Sequence, residues 1–182
     1  MFKLRYLFIT KREKLLINEL LFDFSRINFI DTHKINGAIL EWSNNLNELK
    51  INISKKNILK FLRWDVIKRT MFVDNSTYVQ IEYQSVLNNF IYKDYWFQGI
   101  KENKIGYPYL RTELANTSGN LIHHLYHLTE YYNFSNKKPN DFEVIFEFGG
   151  GYGSMCRLIH NLNFQGKYII FDFPHFIALQ KF

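Results

Sequence analysis

Four glycines fall within five positions at the end of a short apolar run, and this cluster constrains the fold more than any other feature of the sequence. The run at 143–148 is rich in aromatic and β-branched residues, which is typical of a buried strand. Glycines directly after a strand indicate a tight loop, because glycine adopts backbone conformations that other residues avoid. The cluster consists of Gly149, Gly150, Gly151 and Gly153.

The sequence after the glycines completes a strand–helix–strand pattern. Residues 154–162 have apolar side chains at helical spacing, Gly166 ends this segment, and 167–172 form a second apolar run. Two strands joined through a helix are parallel neighbours in one sheet, and parallel sheets are normally covered on both faces. The pattern therefore predicts a βαβ unit with two buried strands.

The first two thirds of the chain have a helical pattern. From residue 11 to about 72, and again from 78 to 91, apolar residues recur at spacings of three and four. Asp31 and Thr32 are predicted to cap the second helical segment, and Ser54 the segment that follows it. This part of the sequence predicts a layer of helices.

A loop, a further helix and a polar connector precede the βαβ unit. The loop is predicted from Gln98 to Pro108, and the stretch LIHHLYHLTEYYNF after Ser118 again has helical spacing. We therefore predict an α/β protein with three parts. These are a mainly helical N-terminal region, 1–134, a connector of turn residues, 135–140, and a domain at 141–182 that starts with the βαβ unit.

Composition excludes wholesale disorder and places limits on partners. With 182 residues, of which 47% are apolar and 22% charged, the chain can bury a core. The net charge of +6 is compatible with nucleic acid or an anionic membrane as partner. No Lys/Arg block alternates with aromatic residues, so we favour a solvated basic surface and expect no nucleic acid partner.

The sequence contains no targeting signal that we recognise. Its first residues lack a small-residue cleavage site, and no apolar run approaches the roughly 20 residues that cross a bilayer. Cys156 is the only cysteine, which excludes an internal disulfide and fits a reducing compartment. We therefore expect a cytoplasmic protein without a membrane span.

The glycine loop and the acids beside it suit a nucleotide-type ligand. Glycines let a ligand approach the backbone, and the following helix offers free N–H groups. Asp172 ends the second strand about 20 residues on, where an acid can bind ribose hydroxyls. The dinucleotide fingerprint fits imperfectly, because Cys156 would occupy its third glycine position. Glu147, two residues before Gly149, better suits a cofactor with a cationic amino-acid end, such as S-adenosylmethionine.

The pattern E-x-G-x-G-x-G, followed by a strand that ends in Asp, resembles motifs I and II of class I S-adenosylmethionine-dependent methyltransferases. The segments FEFGGGYG and GKYIIFDFPHFIALQ resemble the bacterial sugar O-methyltransferases, and FDFPH is also similar to small-molecule O-methyltransferases with a helical N-terminal domain. IGYPYL and SGNLIHHLYHL are more loosely similar to the region before that fold. The specific motifs cover 143–180.

The resemblance implies that S-adenosylmethionine is the cofactor and that its methyl group passes to a hydroxyl of a sugar or another small molecule. Glu147 would lie near the amino group of the cofactor, Asp172 would accept hydrogen bonds from both ribose hydroxyls, and Phe173 would lie beside the adenine. The floor under the cofactor would be Gly149, Gly150, Gly151 and Gly153. On the residues alone, the alternative is a tight turn that Glu147 caps.

The resembling enzymes have a Rossmann-like sheet with more strands than the two predicted here. We therefore expect the chain to be the N-terminal part of a methyltransferase, with the first βαβ unit of that sheet, inactive alone and without an assignable catalytic base. One alternative is a non-catalytic helical interaction module with a vestigial nucleotide-binding βαβ unit, which could form a homodimer through its helices. Another is a fragment of an NAD-dependent oxidoreductase.

Several other side chains are weaker candidates for chemistry. His123 and His127, with His124 beside them, have the i, i+4 spacing of a metal chelate. We favour partly buried imidazoles and predict no metal site. If the resemblance to sugar methyltransferases holds, these histidines could line the acceptor pocket. His175 could act as a general base, although helix capping or solvent exposure fits it better. Cys156 fits a small core residue.

A cluster of aromatic side chains could stack on a sugar ring, although we favour packing in the core. The cluster consists of Phe90, Tyr92, Tyr95, Trp96 and Phe97.

Overall fold

The computed structural model describes residues 10–29, 37–55, 57–71, 77–111 and 114–182. Within these ranges the protein is mixed α/β and mostly helical, with one two-stranded parallel sheet. None of the described helices is long and apolar enough to cross a membrane. The helices are α1 (Lys11–Ser25), α2 (Ala38–Lys55), α3 (Asp65–Met71), α4 (Thr77–Asn88), α5 (Gly119–Ser135), α6 (Ser154–Asn161) and α7 (Pro174–Lys181), and the strands are β1 (Val144–Phe148) and β2 (Lys167–Phe171).

Side-chain caps explain where two of the helices begin. The Thr10 hydroxyl accepts from the backbone N–H of Glu13 at 3.1 Å, and the Glu13 carboxylate accepts from the backbone N–H of Thr10 at 2.8 Å, which is a capping box before α1. Ser118 caps α5, since its hydroxyl accepts from the backbone N–H of Leu121 at 3.2 Å. The helix that was predicted after Ser118 is therefore confirmed.

The cap predicted at Ser54 is wrong. Ser54 lies inside α2, where its hydroxyl donates to a carbonyl of the preceding turn at 2.8 Å. A serine can make this bond without ending a helix, so its identity alone does not mark a boundary. Asn57 caps the next segment, the 3-10 helix Ile58–Arg63. Asp31 and Thr32 lie outside the described residues.

The chain divides into two compact units, of which the first comprises Met1–Thr70, Ile105–Tyr107 and Phe173–Phe182. In this unit α1 packs against α2 and α7. An ion pair of 3.1 Å between Lys181 Nζ and an oxygen of Asp23 joins α7 to α1. Apolar side chains buried in these three helices include Leu20, Phe24, Leu46, Leu49, Phe176 and Leu179.

The second unit comprises Met71–Lys104 and Pro108–Asp172. In this unit α5 packs against both α4 and α6. Ser135, the first residue of the predicted connector 135–140, is the last residue of α5, and Asn136 after it has the left-handed conformation, at φ 55°. The division of the sequence at this connector stays a prediction. The apolar core of the unit includes Val79, Val86, Trp96, Leu121, Leu125 and Leu158.

The predicted βαβ unit is confirmed, but its strands are not buried as predicted. β1 and β2 are parallel, with Val144 opposite Lys167 and Phe148 opposite Phe171. Alternate side chains along β1 are exposed, and Phe148 is 78% accessible. The two strands pair only with each other within the described part of the chain. A parallel sheet is buried on both faces only where other layers cover both, so one face here remains open.

Candidate functional site

The loop between β1 and α6 has a backbone that only glycine adopts readily. Gly149, Gly151 and Gly153 have φ values of 76°, 57° and 81°, in the left-handed region. Gly153 is the N-cap residue that directly precedes α6, and its backbone N–H donates to the carbonyl of Gly150 at 2.9 Å. The loop that was predicted from the four glycines is thereby confirmed.

The glycines differ in what a side chain would meet at each of them. Apart from its chain neighbours, a Cβ at Gly149 would have no atom of the described residues within 4 Å. A Cβ at Gly150 would lie 2.8 Å from Ile170 Cγ2 and 2.9 Å from Glu147 Oε2, so a side chain at this position would force one of these two side chains to move. At Gly151 the nearest atom would be the sulfur of Met71, at 3.1 Å. Open space adjoins the backbone at Gly149, where a ligand can approach it closely.

Asp172 and the glycine loop are joined by a hydrogen bond. The backbone N–H of Gly151 donates to Asp172 Oδ2 at 2.7 Å, across 21 positions of sequence. A second bond, from the N–H of Gly149 to the carbonyl of Phe171 at 2.8 Å, extends the pairing of the two strands into the loop. The structure therefore brings Asp172 next to the loop, as parallel neighbouring strands with their carboxyl ends at one edge require.

Glu147 lies at the same edge of the sheet as Asp172. Its Oε2 atom accepts a hydrogen bond from the Tyr168 hydroxyl at 2.9 Å. Burial raises the pKa of Glu147, the hydrogen bond from Tyr168 lowers it, and the negative charge of Asp172 raises it further. Burial and the nearby Glu147 carboxylate raise the pKa of the Tyr168 hydroxyl, which therefore remains a donor at neutral pH.

Phe173, the remaining predicted cofactor residue, belongs to the first compact unit. Its side chain is 45% exposed, and its ring centroid lies 6.1 Å from that of Trp42. The predicted position of Phe173 beside an adenine ring stays a prediction. The structure groups Glu147, the glycine loop and Asp172 within the second unit.

Sequence reasoning missed two residues that hold the glycine loop. Asn120, in the first turn of α5, donates from its amide to the Tyr152 hydroxyl at 2.5 Å. Asn120 is 1% exposed, and burial raises the pKa of Tyr152. A tyrosine between two glycines with left-handed backbone is a local signal, but nothing in the sequence points to its partner 32 positions away.

A buried ion pair holds the start of α6. The Arg157 guanidinium pairs with the Glu102 carboxylate, whose side chain is 3% exposed, and the Ser118 hydroxyl also donates to this carboxylate. The residue that caps α5 and a residue of α6 thus bind the two oxygens of one carboxylate. Breaking a buried pair leaves an uncompensated charge, so these contacts fix the relative positions of the two helices.

His123 and His124 of α5 are partly buried, as we favoured, whereas His127 is exposed. His123 Nδ1 lies 2.8 Å from Glu82 Oε1, and His123 Nε2 lies 3.1 Å from His127 Nε2. Burial lowers the pKa of His124 to about 4, and the charges of His123 and His127 add to this effect. Among the described residues, no group of three His, Cys, Asp or Glu side chains could hold a metal ion.

The interpretation of His175 as a cap or as an exposed side chain is wrong. His175 lies in the first turn of α7 and is 2% exposed, and neither of its ring nitrogens has a hydrogen-bond partner among the described residues. Its ring packs edge-on against Phe24, because α7 packs on α1. Burial, with a smaller effect from the charge of Lys50, lowers the pKa of His175 to about 4, so it is neutral at neutral pH.

Cys156 and the aromatic cluster have mainly structural surroundings. Cys156 is partly buried, and burial together with the Glu147 charge raises its pKa to about 11, so the thiol is protonated at neutral pH. Trp96 is fully buried and donates to Asn89 Oδ1 at 3.0 Å, which confirms core packing for this residue. Phe90 is 79% exposed, and so the cluster is not uniformly part of the core.

Comparison with known proteins gave no match: no family model, no curated protein and no solved structure matches the chain.

Proposed function

We propose that the loop between β1 and α6 binds S-adenosylmethionine and that the protein is a methyltransferase acting on an acceptor hydroxyl. The sequence resemblance favours a sugar as the acceptor. One observation carries the proposal. The glycine loop, with its left-handed backbone, lies between Glu147 and Asp172, and Asp172 accepts a hydrogen bond from Gly151 within that loop. These groups lie at the ends of adjacent parallel strands and match the polar groups of this cofactor. Glu147 matches the amino group, Asp172 matches the ribose hydroxyls, and the loop allows close approach.

The residues present fit the cofactor. Open space beside Gly149 allows close approach to the backbone. Asp172 is a carboxylate already oriented at the loop and suits ribose hydroxyls, which are hydrogen-bond donors. Glu147 is partly buried, and a cationic amino group beside it would offset the burial that raises its pKa. In this assignment Gly150 maintains the packing of the loop, and Phe173 adjoins Asp172 in the chain.

The chemistry follows from positioning. When bound, S-adenosylmethionine would supply a methyl group carried on a sulfonium, for transfer to the acceptor oxygen with S-adenosylhomocysteine as the leaving group. The residues named here bind and orient the cofactor, and orientation of two reactants contributes a large part of the rate of such transfers. Asn120 and Arg157 act through other groups, because they hold the loop and the start of α6. We assign no side chain as the base that takes the hydroxyl proton.

We further propose that the second unit contains the beginning of a Rossmann-like sheet. β1, α6 and β2 would be the first βαβ unit of a Rossmann-like methyltransferase sheet, preceded by a helical region. The parallel pairing of β1 with β2 and the position of the loop support this assignment. The open face of the sheet is where such a fold carries further helices.

Calorimetric titration of the full chain with S-adenosylhomocysteine and, separately, with NAD⁺ tests the proposal. We expect saturable binding of S-adenosylhomocysteine and none of NAD⁺. Selective binding of NAD⁺ would favour an oxidoreductase. A folded chain that binds neither ligand would overturn the proposal in favour of a non-catalytic interaction module.

A further inference from the structure

Two imidazole nitrogens meet on α5, away from the residues assigned to the cofactor. His123 and His127 are one helical turn apart, their Nε2 atoms are 3.1 Å apart, and their ring centroids are 4.4 Å apart. Imidazole nitrogens bind zinc at about 2.0–2.1 Å, so two of them on one ion lie roughly 3 Å from each other. The observed separation matches that of a chelating pair.

Glu82, on α4, determines which nitrogen of His123 carries the proton. Its Oε1 atom lies 2.8 Å from His123 Nδ1. A carboxylate is only an acceptor, so Nδ1 carries the hydrogen and Nε2 of the neutral ring presents its lone pair toward His127. Metal-bound histidines commonly have this arrangement, with the second ring nitrogen donating to a carboxylate.

The charge of Glu82 is only partly compensated. Glu82 is 8% exposed, and its Oε2 atom is buried without a hydrogen-bond partner in the described structure. Within the described ranges, His123 is the one basic side chain at ion-pair distance from Glu82, and its ring carries a positive charge only when protonated. A buried carboxylate is costly unless a positive charge lies close to it. A cation bound to the far nitrogen of His123 would supply that charge through the ring.

We propose that His123 and His127 chelate a divalent first-row transition metal ion of the Zn²⁺ class, with Glu82 as the positioning residue for His123. This site goes beyond the proposed function and does not depend on it. Among the described residues, no third His, Cys, Asp or Glu side chain is placed to bind the same ion, so water or an oxygen of a small ligand completes the coordination. Imidazole ligands favour zinc, nickel and copper over magnesium and calcium.

Titration of the full chain with Zn²⁺ alone, followed by calorimetry, tests this site. We expect one Zn²⁺ per chain and no saturable heat with Mg²⁺. His127→Gln is the decisive variant, because His127 is exposed and its replacement leaves the core intact. It should abolish the saturable Zn²⁺ binding, whereas His160→Gln, at another exposed histidine, should leave it unchanged.

The role of Glu82 has a separate test. Glu82→Gln removes the charge and keeps the shape, and we expect Zn²⁺ affinity to fall by about ten- to hundredfold, as for other residues that orient a ligand. An unchanged affinity would contradict the role of Glu82. The absence of saturable Zn²⁺ binding, or equal binding by His127→Gln and the unaltered chain, would overturn the site and leave a hydrogen bond between the two rings.

Discussion

The backbone N–H of Gly151 donates to Asp172 Oδ2 at 2.7 Å. This bond joins the loop that follows β1 to the residue that follows β2. It orients the Asp172 carboxylate at the loop before any ligand arrives. A site that is already arranged loses less entropy on binding than one that must be ordered. The bond therefore links the local sequence of two separate segments to the proposed cofactor site.

Replacement of Asp172 is expected to weaken cofactor binding. We expect Asp172→Ala to lower the affinity for S-adenosylhomocysteine by about ten- to hundredfold, since hydrogen bonds to a charged group contribute about 1.5–3 kcal/mol. Calorimetric titration measures the change. Asp65→Ala is the matched control, because Asp65 is an exposed carboxylate paired with Lys68. Equal affinities of the Asp172 and Asp65 variants would remove Asp172 from the site.

Gly149→Ala separates ligand approach from backbone strain. Gly149 and Gly37 both have left-handed backbone, at φ 76° and 67°. Apart from chain neighbours, a Cβ at either would meet no atom within 4 Å in the part of the chain that the structure describes. Gly149→Ala and Gly37→Ala should therefore lower the free energy of unfolding by similar amounts, about 1–2 kcal/mol. Urea denaturation measures this cost.

The two glycine variants should differ in binding. The Cβ at residue 149 enters the space that we assign to the cofactor, so Gly149→Ala should bind S-adenosylhomocysteine more weakly than Gly37→Ala does. Calorimetry at a temperature where both variants are folded makes the comparison. Unimpaired binding by Gly149→Ala would place the ligand elsewhere.

The hydrogen bond between Asn120 and Tyr152 is expected to stabilise the glycine loop. A double-mutant cycle with Asn120→Ala and Tyr152→Phe should give a coupling free energy of about 1 kcal/mol, because the pair lies in a largely buried environment. Urea denaturation of the four proteins supplies the four free energies of unfolding. Additive single effects would show that the two side chains do not stabilise each other.

His175 should make the stability of the protein sensitive to acid. Its pKa is lowered to about 4 in the folded chain, against about 6.5 for an unperturbed histidine. Between these values the unfolded chain binds a proton that the folded chain does not. The free energy of unfolding should thus be highest above about pH 6.5 and fall by on the order of 3 kcal/mol as the pH drops to about 4.

His175→Phe is expected to remove this sensitivity. Phenylalanine keeps an aromatic ring against Phe24 and has no group that titrates. Urea denaturation at several pH values compares the two proteins. His124 also has a lowered pKa but is present in both, so the difference between the pH profiles reports on His175. Parallel profiles would contradict the assignment.

Elements with a strong local signal could be predicted from the sequence. The helical spacing after Ser118 and the glycine cluster after residue 148 both gave elements that the structure confirms. α7 was missed because Pro174 follows the strand closely, although proline at the first helical position is itself a start signal. Burial of the strands was predicted wrongly, because burial depends on layers that the local sequence does not specify.

The candidate site was predictable only in part. The proximity of Asp172 to Gly151 follows from the sequence, because both residues come after the carboxyl ends of adjacent parallel strands. The contact of Glu147 with Tyr168 requires the register of the two strands, in which Glu147 lies opposite Ile170. The partner of Tyr152 could not be inferred, because helix packing brings Asn120 to it from a distant part of the sequence.

The central claim is that the cofactor binds at the glycine loop, and nuclear magnetic resonance of the isotope-labelled chain tests it most directly. S-adenosylhomocysteine is added stepwise while the backbone amide signals are followed. We predict the largest shifts at Gly149, Gly151, Gly153 and Asp172, and none at Gly37, whose backbone conformation is similar to that of the loop glycines. Signals of the loop that stay unchanged at saturating ligand would contradict the claim.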